Sequence, residues 1–142
     1  MVIKQLSVSL DNVPWTFSTI SELLGREGVN IRAISVADTS DISTVRFVVD
    51  DHEKAKNILI GHGYKPKETD VLAVEIPDHP GSTNAVLKPL KAAGINVHYL
   101  YPHLGRIDNN AIVILGVDRT EEAEKVLAQN WVKTLGREVY NV

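Results

Sequence analysis

The stretch PDHPGSTNAVLKPLKAAGIN (residues 77–96) has the same layout as the stretch DNVPWTFSTISELLGREGVN (residues 11–30). When Pro80 is aligned with Pro14, the Gly-x-Asn that closes one stretch falls on the Gly-x-Asn that closes the other. The same register continues downstream, after the second copy gains two residues in a loop. A repeat of about 70 residues indicates that one folding unit has been duplicated.

Each copy has the same order of predicted elements. In the first copy, alternating apolar and polar residues predict strands, and apolar residues at helical spacing predict helices. The strands are expected at 3–10, 30–37 and 44–50, and the helices at 16–27 and 51–63. Residues 65–76 are expected to serve both as the last strand of the first copy and as the first strand of the second. Pro89 lies inside the third helix and is expected to kink it.

The order strand, helix, strand, strand, helix, strand is that of the ferredoxin-like arrangement. The sequence therefore predicts an α+β fold with two ferredoxin-like (βαββαβ) units in tandem, at residues 1–70 and 71–142. Each unit is expected to form an antiparallel sheet with its two helices on one face.

The composition narrows the classes of function. The 142 residues are 44% hydrophobic and 23% charged, with a net charge of −3 and no cysteine. Without cysteine there are no disulfides, thiolate metal sites or cysteine nucleophiles. Scattered basic residues argue against a nucleic-acid partner, and no apolar run approaches the ~20 residues that span a bilayer. The opening MVIKQLSVSL alternates like a strand and not like a signal peptide. We therefore expect a cytoplasmic protein without nucleic-acid or membrane partners.

The loop DHPG (residues 78–81) is the first candidate for a binding function. Pro80 stiffens the turn, and Gly81 lets the backbone approach a ligand closely. The free N–H groups at the start of the following helix favour a carboxylate or phosphate. Ser82 and Thr83 are also ordinary residues for a helix start, so the loop alone favours a simple capped helix.

Asn96 is the second candidate. Both copies place an asparagine at the start of the second strand, although asparagine is a poor strand former. Its amide suits an ammonium and a carboxylate on one small molecule, and Asp78 adds a negative charge for the ammonium. We expect Asn96 to lie where the chain returns past the loop. The alternative is a structural role, in which Gly-x-Asn closes the helix and the asparagine bonds local backbone.

Pro-Gly opening a helix and Gly-Ile-Asn-Val leading a strand, within a ferredoxin-like frame, resemble the ACT domain family. The tandem layout, with the stretches RAISVADTSD and KETDVLAVEI, is similar to small bacterial proteins made of two ACT domains. The resemblance covers essentially the whole chain. It implies a regulatory protein that binds a free amino acid, usually at an interface between two ACT units, and it implies a homo-oligomer, most simply a homodimer.

The resemblance also implies which residues contact the amino acid: the loop after the first strand and the start of the second strand. In the second copy these are Asp78, His79, Pro80, Gly81, Asn96 and Val97, and in the first copy they are Asn12, Val13, Pro14, Trp15, Asn30 and Ile31.

The first copy departs from this pattern at two positions. Trp15 stands where the second copy has Gly81, and Asn12 stands where it has Asp78. An indole needs space that a ligand would otherwise use, and a neutral amide is a weaker partner for an ammonium than a carboxylate. We therefore expect the second copy to hold the better amino-acid site. The alternatives for the indole are that it walls the ligand or anchors a core.

No enzyme, cofactor or metal site is predicted. The sequence has no cysteine nucleophile, no Gly-x-Ser-x-Gly elbow and no phosphate-binding glycine loop. Two alternatives to amino-acid binding stay open. The first is an interaction module that pairs with an enzyme or regulator without binding a small molecule. The second is a metal-sensing variant that uses His79, His98 and His103, although their spacing matches no standard metal site.

Overall fold

The computed structural model describes residues 1–11 and 15–142, which form two compact units. The N-terminal unit comprises Lys4–Thr69, and the C-terminal unit comprises Asp70–Val142 together with Met1–Ile3. Within the described residues, no helix is long and apolar enough to cross a membrane.

The N-terminal unit contains three strands and two helices before the chain enters β4. They are β1 (Ile3–Asp11), α1 (Thr16–Arg26), β2 (Ile31–Asp38), β3 (Ile42–Val49) and α2 (His52–Gly61). The strand β3 is central and pairs antiparallel with both β1 and β2.

The C-terminal unit repeats the same order. Its elements are β4 (Lys67–Ile76), α3 (Ser82–Ala92), β5 (Val97–Ile107), β6 (Asn110–Val117), α4 (Thr120–Gln129), β7 (Lys133–Leu135) and a 3₁₀ turn at Arg137–Tyr140. The strand β6 pairs antiparallel with β4 and β5, and β7 pairs antiparallel with the other edge of β4. These contacts confirm an α+β fold of two βαββαβ units in tandem with antiparallel pairing.

Each unit has an apolar core between its helices and one face of its strands. The N-terminal core takes alternate residues of β1 and β3 and one stripe of each helix: Leu6, Val8, Leu10, Val45, Phe47, Val49, Ile20, Leu24, Ala55 and Leu59. The C-terminal core is built the same way from Leu72, Val74, Ile76, Val113, Leu115, Val86, Leu90, Ala123 and Leu127. Because alternate strand residues share one side of a sheet, both helices of a unit pack on the same face.

The four helices end in the same way. In each, the second residue after the last helical turn adopts a left-handed backbone, with φ of 79° at Gly28, 86° at Gly63, 71° at Gly94 and 62° at Trp131. The following N–H then bonds back into the helix, as Val29 does to the carbonyl of Leu24 at 2.9 Å. Glycine is the usual residue at this position because it has no Cβ to clash.

The first unit departs from a complete ferredoxin-like arrangement. It has no separate fourth strand, because only residues 62–66 lie between α2 and β4, too few for a strand and a turn. The expected double use of residues 65–76 is instead one strand, β4, which begins in the N-terminal unit and continues into the C-terminal one.

Pro89 does not interrupt α3, which runs from Ser82 to Ala92. Proline lacks the N–H that would bond the carbonyl of Ala85. Ala85 is exposed, so water can satisfy that carbonyl. The helix closes normally afterwards, with the N–H of Ala93 bonded to the carbonyl of Pro89 at 3.1 Å.

Candidate functional site

A pocket of about 340 Å³ opens beside the start of α1 in the N-terminal unit. It is called the α1 pocket below, and it is lined by Leu10, Asp11, Trp15, Thr16, Phe17, Ser18, Val36, Asp38, Ser43 and Val45. These residues come from the end of β1, the first turn of α1 and the β2–β3 hairpin. The volume suits a small molecule, and the lining combines apolar walls with a few polar groups, as ligand sites do.

Trp15 forms a wall of the α1 pocket. Its side chain is 79% exposed, so the indole neither fills the pocket nor enters the core. Its carbonyl accepts from the N–H of Thr19 at 3.0 Å and so closes the first turn of the helix. The earlier N–H groups of an α-helix have no partner within the helix and carry a partial positive charge. Because residues of this first turn line the pocket, the helix start favours a carboxylate there.

Two carboxylates give the α1 pocket its charge. Asp11 ends β1 and Asp38 ends β2, and both line the pocket. The hydroxyl of Ser43 donates to Asp38 and fixes that carboxylate across the hairpin. Among the described residues that line the pocket, none is basic. A cation would therefore be favoured beside the aspartates, and an anion beside the start of α1.

The corresponding corner of the C-terminal unit has an arginine where the N-terminal unit has Asp38. Asp38 pairs with Ser43 across β2 and β3, and Arg106 holds the same register position opposite Ala111 across β5 and β6. Arg106 Nη2 lies 3.1 Å from Asp78 Oδ2 in an exposed ion pair. The carboxylate that was expected to receive an ammonium thus lies beside a guanidinium.

The two-residue insertion of the second copy lies in this corner as a bulge in β5. The register of β5 against β6 shifts between Pro102 and Arg106. The bulge is held by His103, which is only 7% exposed: the N–H of Gly105 donates to Nδ1 at 2.8 Å, and Nε2 lies 2.7 Å from the carbonyl of Val139. Since Nδ1 accepts, Nε2 carries the proton and donates.

The three histidines of the metal-sensing alternative do not form a metal site. Both ring nitrogens of His103 are used in the bulge. His79 Nδ1 lies 3.1 Å from the hydroxyl of Ser82, and His98 Nδ1 lies 3.3 Å from the side-chain nitrogen of Asn96. Among the described residues, the group close enough to hold a metal ion lies elsewhere, in the N-terminal unit. That alternative is therefore wrong in its choice of residues.

The rest of the DHPG loop is bonded to itself. The hydroxyl of Ser82 donates to the carbonyl of His79 at 2.7 Å, and the N–H of Ser82 points to the same carbonyl at 3.3 Å. Gly81 has φ of 89° and precedes α3 as Trp15 precedes α1. Pro80 completes the turn and its carbonyl lies 3.0 Å from His79 Nδ1. These contacts fit the simple capped-helix interpretation of the loop.

Both copies hold their strand-start asparagine with a carboxylate. The backbone N–H of Asn96 donates to Asp118 Oδ1 at 3.1 Å, and the N–H of Asp118 returns a bond to the carbonyl of Asn96 at 3.2 Å. Asn30 and Asp50 make the same two bonds, at 2.9 and 3.1 Å. The repeated Asn and Asp therefore have a structural role that needs only the asparagine backbone. Both asparagines are exposed.

Asn96 lines a shallow groove on the surface of the C-terminal unit. The groove has a volume of about 410 Å³ and is lined by Leu87, Lys91, Gly94, Ile95, Asn96 and Val97. Val97 and its counterpart Ile31 are half-buried and pack against the cores of their units.

Loop and asparagine of one copy lie at opposite ends of its sheet. Ile76, just before the DHPG loop, pairs with Ala111, whereas Val97, just after Asn96, pairs with Val117 at the other end of β6. At about 3.3 Å per residue, this places the two regions roughly 20 Å apart. The expectation that Asn96 lies beside the loop of its own copy is therefore wrong. A site that uses both must take them from different copies of the fold.

Asn12, Val13 and Pro14, the other predicted contact residues of the first copy, lie outside the described residues. Asp11 and Asp38 were not among the residues that the sequence predicted for a site. Each ends a strand, but only the antiparallel register brings those two strand ends to one pocket.

The repeated βαββαβ unit places the chain among proteins built from small α+β domains in tandem. A family model described as the ACT domain pair matches residues 1–139, so the chain belongs to the ACT domain pair family. ACT domains are regulatory and not catalytic. No curated protein sequence is a significant match to the chain.

Solved structures share the fold. Protein BT0572 from Bacteroides thetaiotaomicron is 29% identical, with a TM-score of 0.91, over 100% of this chain and 98% of that one. The regulatory subunit of aspartate kinase from Thermus thermophilus, in a ligand-free form, is 14% identical, with a TM-score of 0.63, over 90% of this chain and 92% of that one. The corresponding subunit from Thermus flavus is 15% identical, with a TM-score of 0.61, over 90% and 92%.

Proposed function

We propose that this protein is a regulatory protein without catalysis of its own, and that the α1 pocket binds a free amino acid. The observation that carries the proposal is the arrangement of charge in that pocket. Asp11 and Asp38 offer partners for an ammonium, and the start of α1 offers N–H groups for a carboxylate. An α-amino acid carries both groups on the same carbon atom, and Trp15, Phe17 and Val36 offer apolar contacts for its side chain.

The energetics favour a second unit that covers the ligand. Two or three charge-assisted hydrogen bonds contribute about 1.5–3 kcal/mol each. Association costs about 4–15 kcal/mol in lost freedom, so an open pocket would hold an amino acid weakly. We propose that a second copy of the chain supplies the cover and brings the Asn96 amide to the ligand. This proposal agrees with the predicted homodimer. It also agrees with the use that the ACT family makes of the loop after the first strand and the start of the second strand.

The ranking of the two copies is the reverse of the sequence-based one. The DHPG loop was expected to hold the better site because it has Asp78 and Gly81. Asp78 is paired with Arg106, the loop is bonded internally, and the β5 bulge changes the corner where the first copy has Asp38. We therefore assign the main site to the N-terminal unit and give Trp15 the role of a wall.

The test is calorimetric titration with a panel of free amino acids. At least one should bind, and Asp38→Asn should weaken binding by ~1–2 kcal/mol, because a charged hydrogen bond becomes a neutral one. Asp78→Asn is the matched control on the other copy, and it should change the affinity little. If Asp78→Asn lowers the affinity and Asp38→Asn does not, the assignment to the α1 pocket is wrong.

The interaction module remains the second candidate, and one observation favours it. Trp131 is 96% exposed, and tryptophan is a frequent anchor residue at protein interfaces. A panel in which no free amino acid binds would support this function over amino-acid binding.

A further inference from the structure

A second cluster of chemically active side chains lies in the N-terminal unit, away from the residues that line the α1 pocket. His52 and Glu53 are the first two residues of α2, and Glu68 lies near the start of β4. His52 Nδ1 lies 2.7 Å from Glu68 Oε1 and 3.8 Å from Glu53 Oε1. One ligand atom from each of the three residues lies within 4.8 Å of the other two.

The backbone around the cluster is held firmly. Asp51 caps α2 and accepts the N–H of Lys54 at 3.1 Å, which fixes the direction in which the first helical residues point. The side chains of His52 and Glu68 are 26% and 23% exposed, whereas Glu53 is 69% exposed and can move. Two of the three groups are therefore positioned, and the third can adjust.

The contact between imidazole and carboxylate needs a proton or a metal ion between the two atoms. Glu68 Oε1 is buried, and His52 Nδ1 lies 2.7 Å from it. A neutral imidazole nitrogen with a lone pair and a carboxylate oxygen are both acceptors, and they repel at this distance unless a proton or a metal ion lies between them.

We propose that His52, Glu53 and Glu68 bind a divalent cation of the first transition row, with Zn²⁺ as the representative ion. In a tetrahedral site, Zn–N and Zn–O bonds of about 2.0–2.2 Å place neighbouring ligand atoms roughly 3.3–3.6 Å apart, and the observed 2.7 and 3.8 Å bracket that separation. Imidazole with carboxylates suits Zn²⁺ and its neighbours, whereas Mg²⁺ and Ca²⁺ prefer oxygen alone. Water would complete the coordination.

Two features of the chain bear on the affinity of this site for a cation and on which copy of the fold carries it. Lys56 Nζ lies 3.7 Å from Glu68 Oε2, and its positive charge opposes a cation there. The second copy has Thr120 and Glu121 at the start of α4, where the first has His52 and Glu53. The site therefore belongs to the first copy, where it ties the start of α2 to the start of β4.

The first measurement is titration of the full chain with Zn²⁺ against a competing chelator. One Zn²⁺ should bind per chain, and Glu68→Gln and His52→Gln should each weaken binding at least about tenfold. His62→Gln changes an exposed histidine at the other end of α2 and is the matched control, which should leave binding unchanged. Lys56→Gln should tighten binding, because an opposing charge is removed. Thermal melts in EDTA check that each variant is folded.

Co²⁺ gives the independent readout. Its visible absorption should report nitrogen and oxygen ligands in the unchanged chain and should be lost in His52→Gln. Absence of saturable Zn²⁺ binding, or binding that survives both Glu68→Gln and His52→Gln, would overturn the proposal. None of these results depends on amino-acid binding at the α1 pocket.

Discussion

Two tryptophans occupy backbone positions that the other copy fills with glycine. Trp15 has φ of 71° and stands where the second copy has Gly81 with φ of 89°. Trp131 has φ of 62° and stands where the first copy has Gly63 with φ of 86°. A left-handed backbone costs a residue with a Cβ about 1–2 kcal/mol, and burial of the indoles offsets little of it, since both are mostly exposed. The tryptophans are costly for stability, which suggests that they serve binding.

The pair Trp15→Gly and Trp131→Gly separates stability from binding. Both substitutions should raise the free energy of unfolding by roughly 0.5–1 kcal/mol, because strain is relieved while the unfolded chain gains some freedom. Trp15→Gly should also weaken amino-acid binding by on the order of 1 kcal/mol, because the pocket loses an apolar wall. Trp131→Gly should not. Urea denaturation and calorimetry measure the two effects, and a loss of stability in both variants would show that the indoles pack against the fold.

One contact between strands depends on a glycine for a different reason. Tyr99 of β5 pairs with Gly116 of β6, and its ring covers the glycine so closely that an added Cβ would overlap the ring. The aromatic ring thus fills the space above a residue without a side chain. Gly25, within α1, offers the contrasting case, because a Cβ added there would meet no neighbouring atom within 4 Å.

Gly116→Ala should therefore destabilise the protein by about 1–3 kcal/mol, because Tyr99 must leave its position. Gly25→Ala should instead stabilise it by roughly 0.5–1 kcal/mol, since alanine is the better helix former and has room. Chemical denaturation of the two variants beside the unchanged chain makes the comparison. Equal effects in both variants would mean that Tyr99 does not lie against Gly116.

Within one copy, the loop after the first strand and the asparagine that starts the second strand lie far apart. The proposed amino-acid site therefore requires that two copies of the fold assemble. The α1 pocket and the Asn96 amide belong to different copies of the fold, and we take the second from another chain. Ligand binding should therefore strengthen the dimer, because a molecule that bridges two chains binds the assembled state better.

Mixing two defective chains tests this assignment. Asp38→Asn lacks the pocket charge and Asn96→Ala lacks the covering amide, so each variant alone should bind the amino acid poorly. In a mixed dimer one site combines the intact Asp38 of one chain with the intact Asn96 of the other. Calorimetry on co-refolded chains should recover about one quarter of the sites under random pairing. If mixing restores no binding, the proposal that Asp38 and Asn96 of one site come from two different chains is wrong.

The sequence was sufficient for the repeat and for most element positions. Constant register, alternating strands and glycine stops are local signals, and the helix predicted at 16–27 is observed at Thr16–Arg26. The family could also be recognised from the sequence, because its motifs Pro-Gly and Gly-Ile-Asn-Val each lie within one short segment of the chain. The beginning and end of these elements follow from residues that are neighbours along the chain.

The site depended on contacts between residues far apart in the chain. Asp38 and Arg106 hold the same position in their sheets, but the two-residue insertion hides this equivalence until the strand register is known. The pairing of Asp78 with Arg106 and the approach of His52 to Glu68 also span elements. Charge and geometry at a site are set by which strand ends and helix starts meet, and only the packing of sheet against helices brings those ends together.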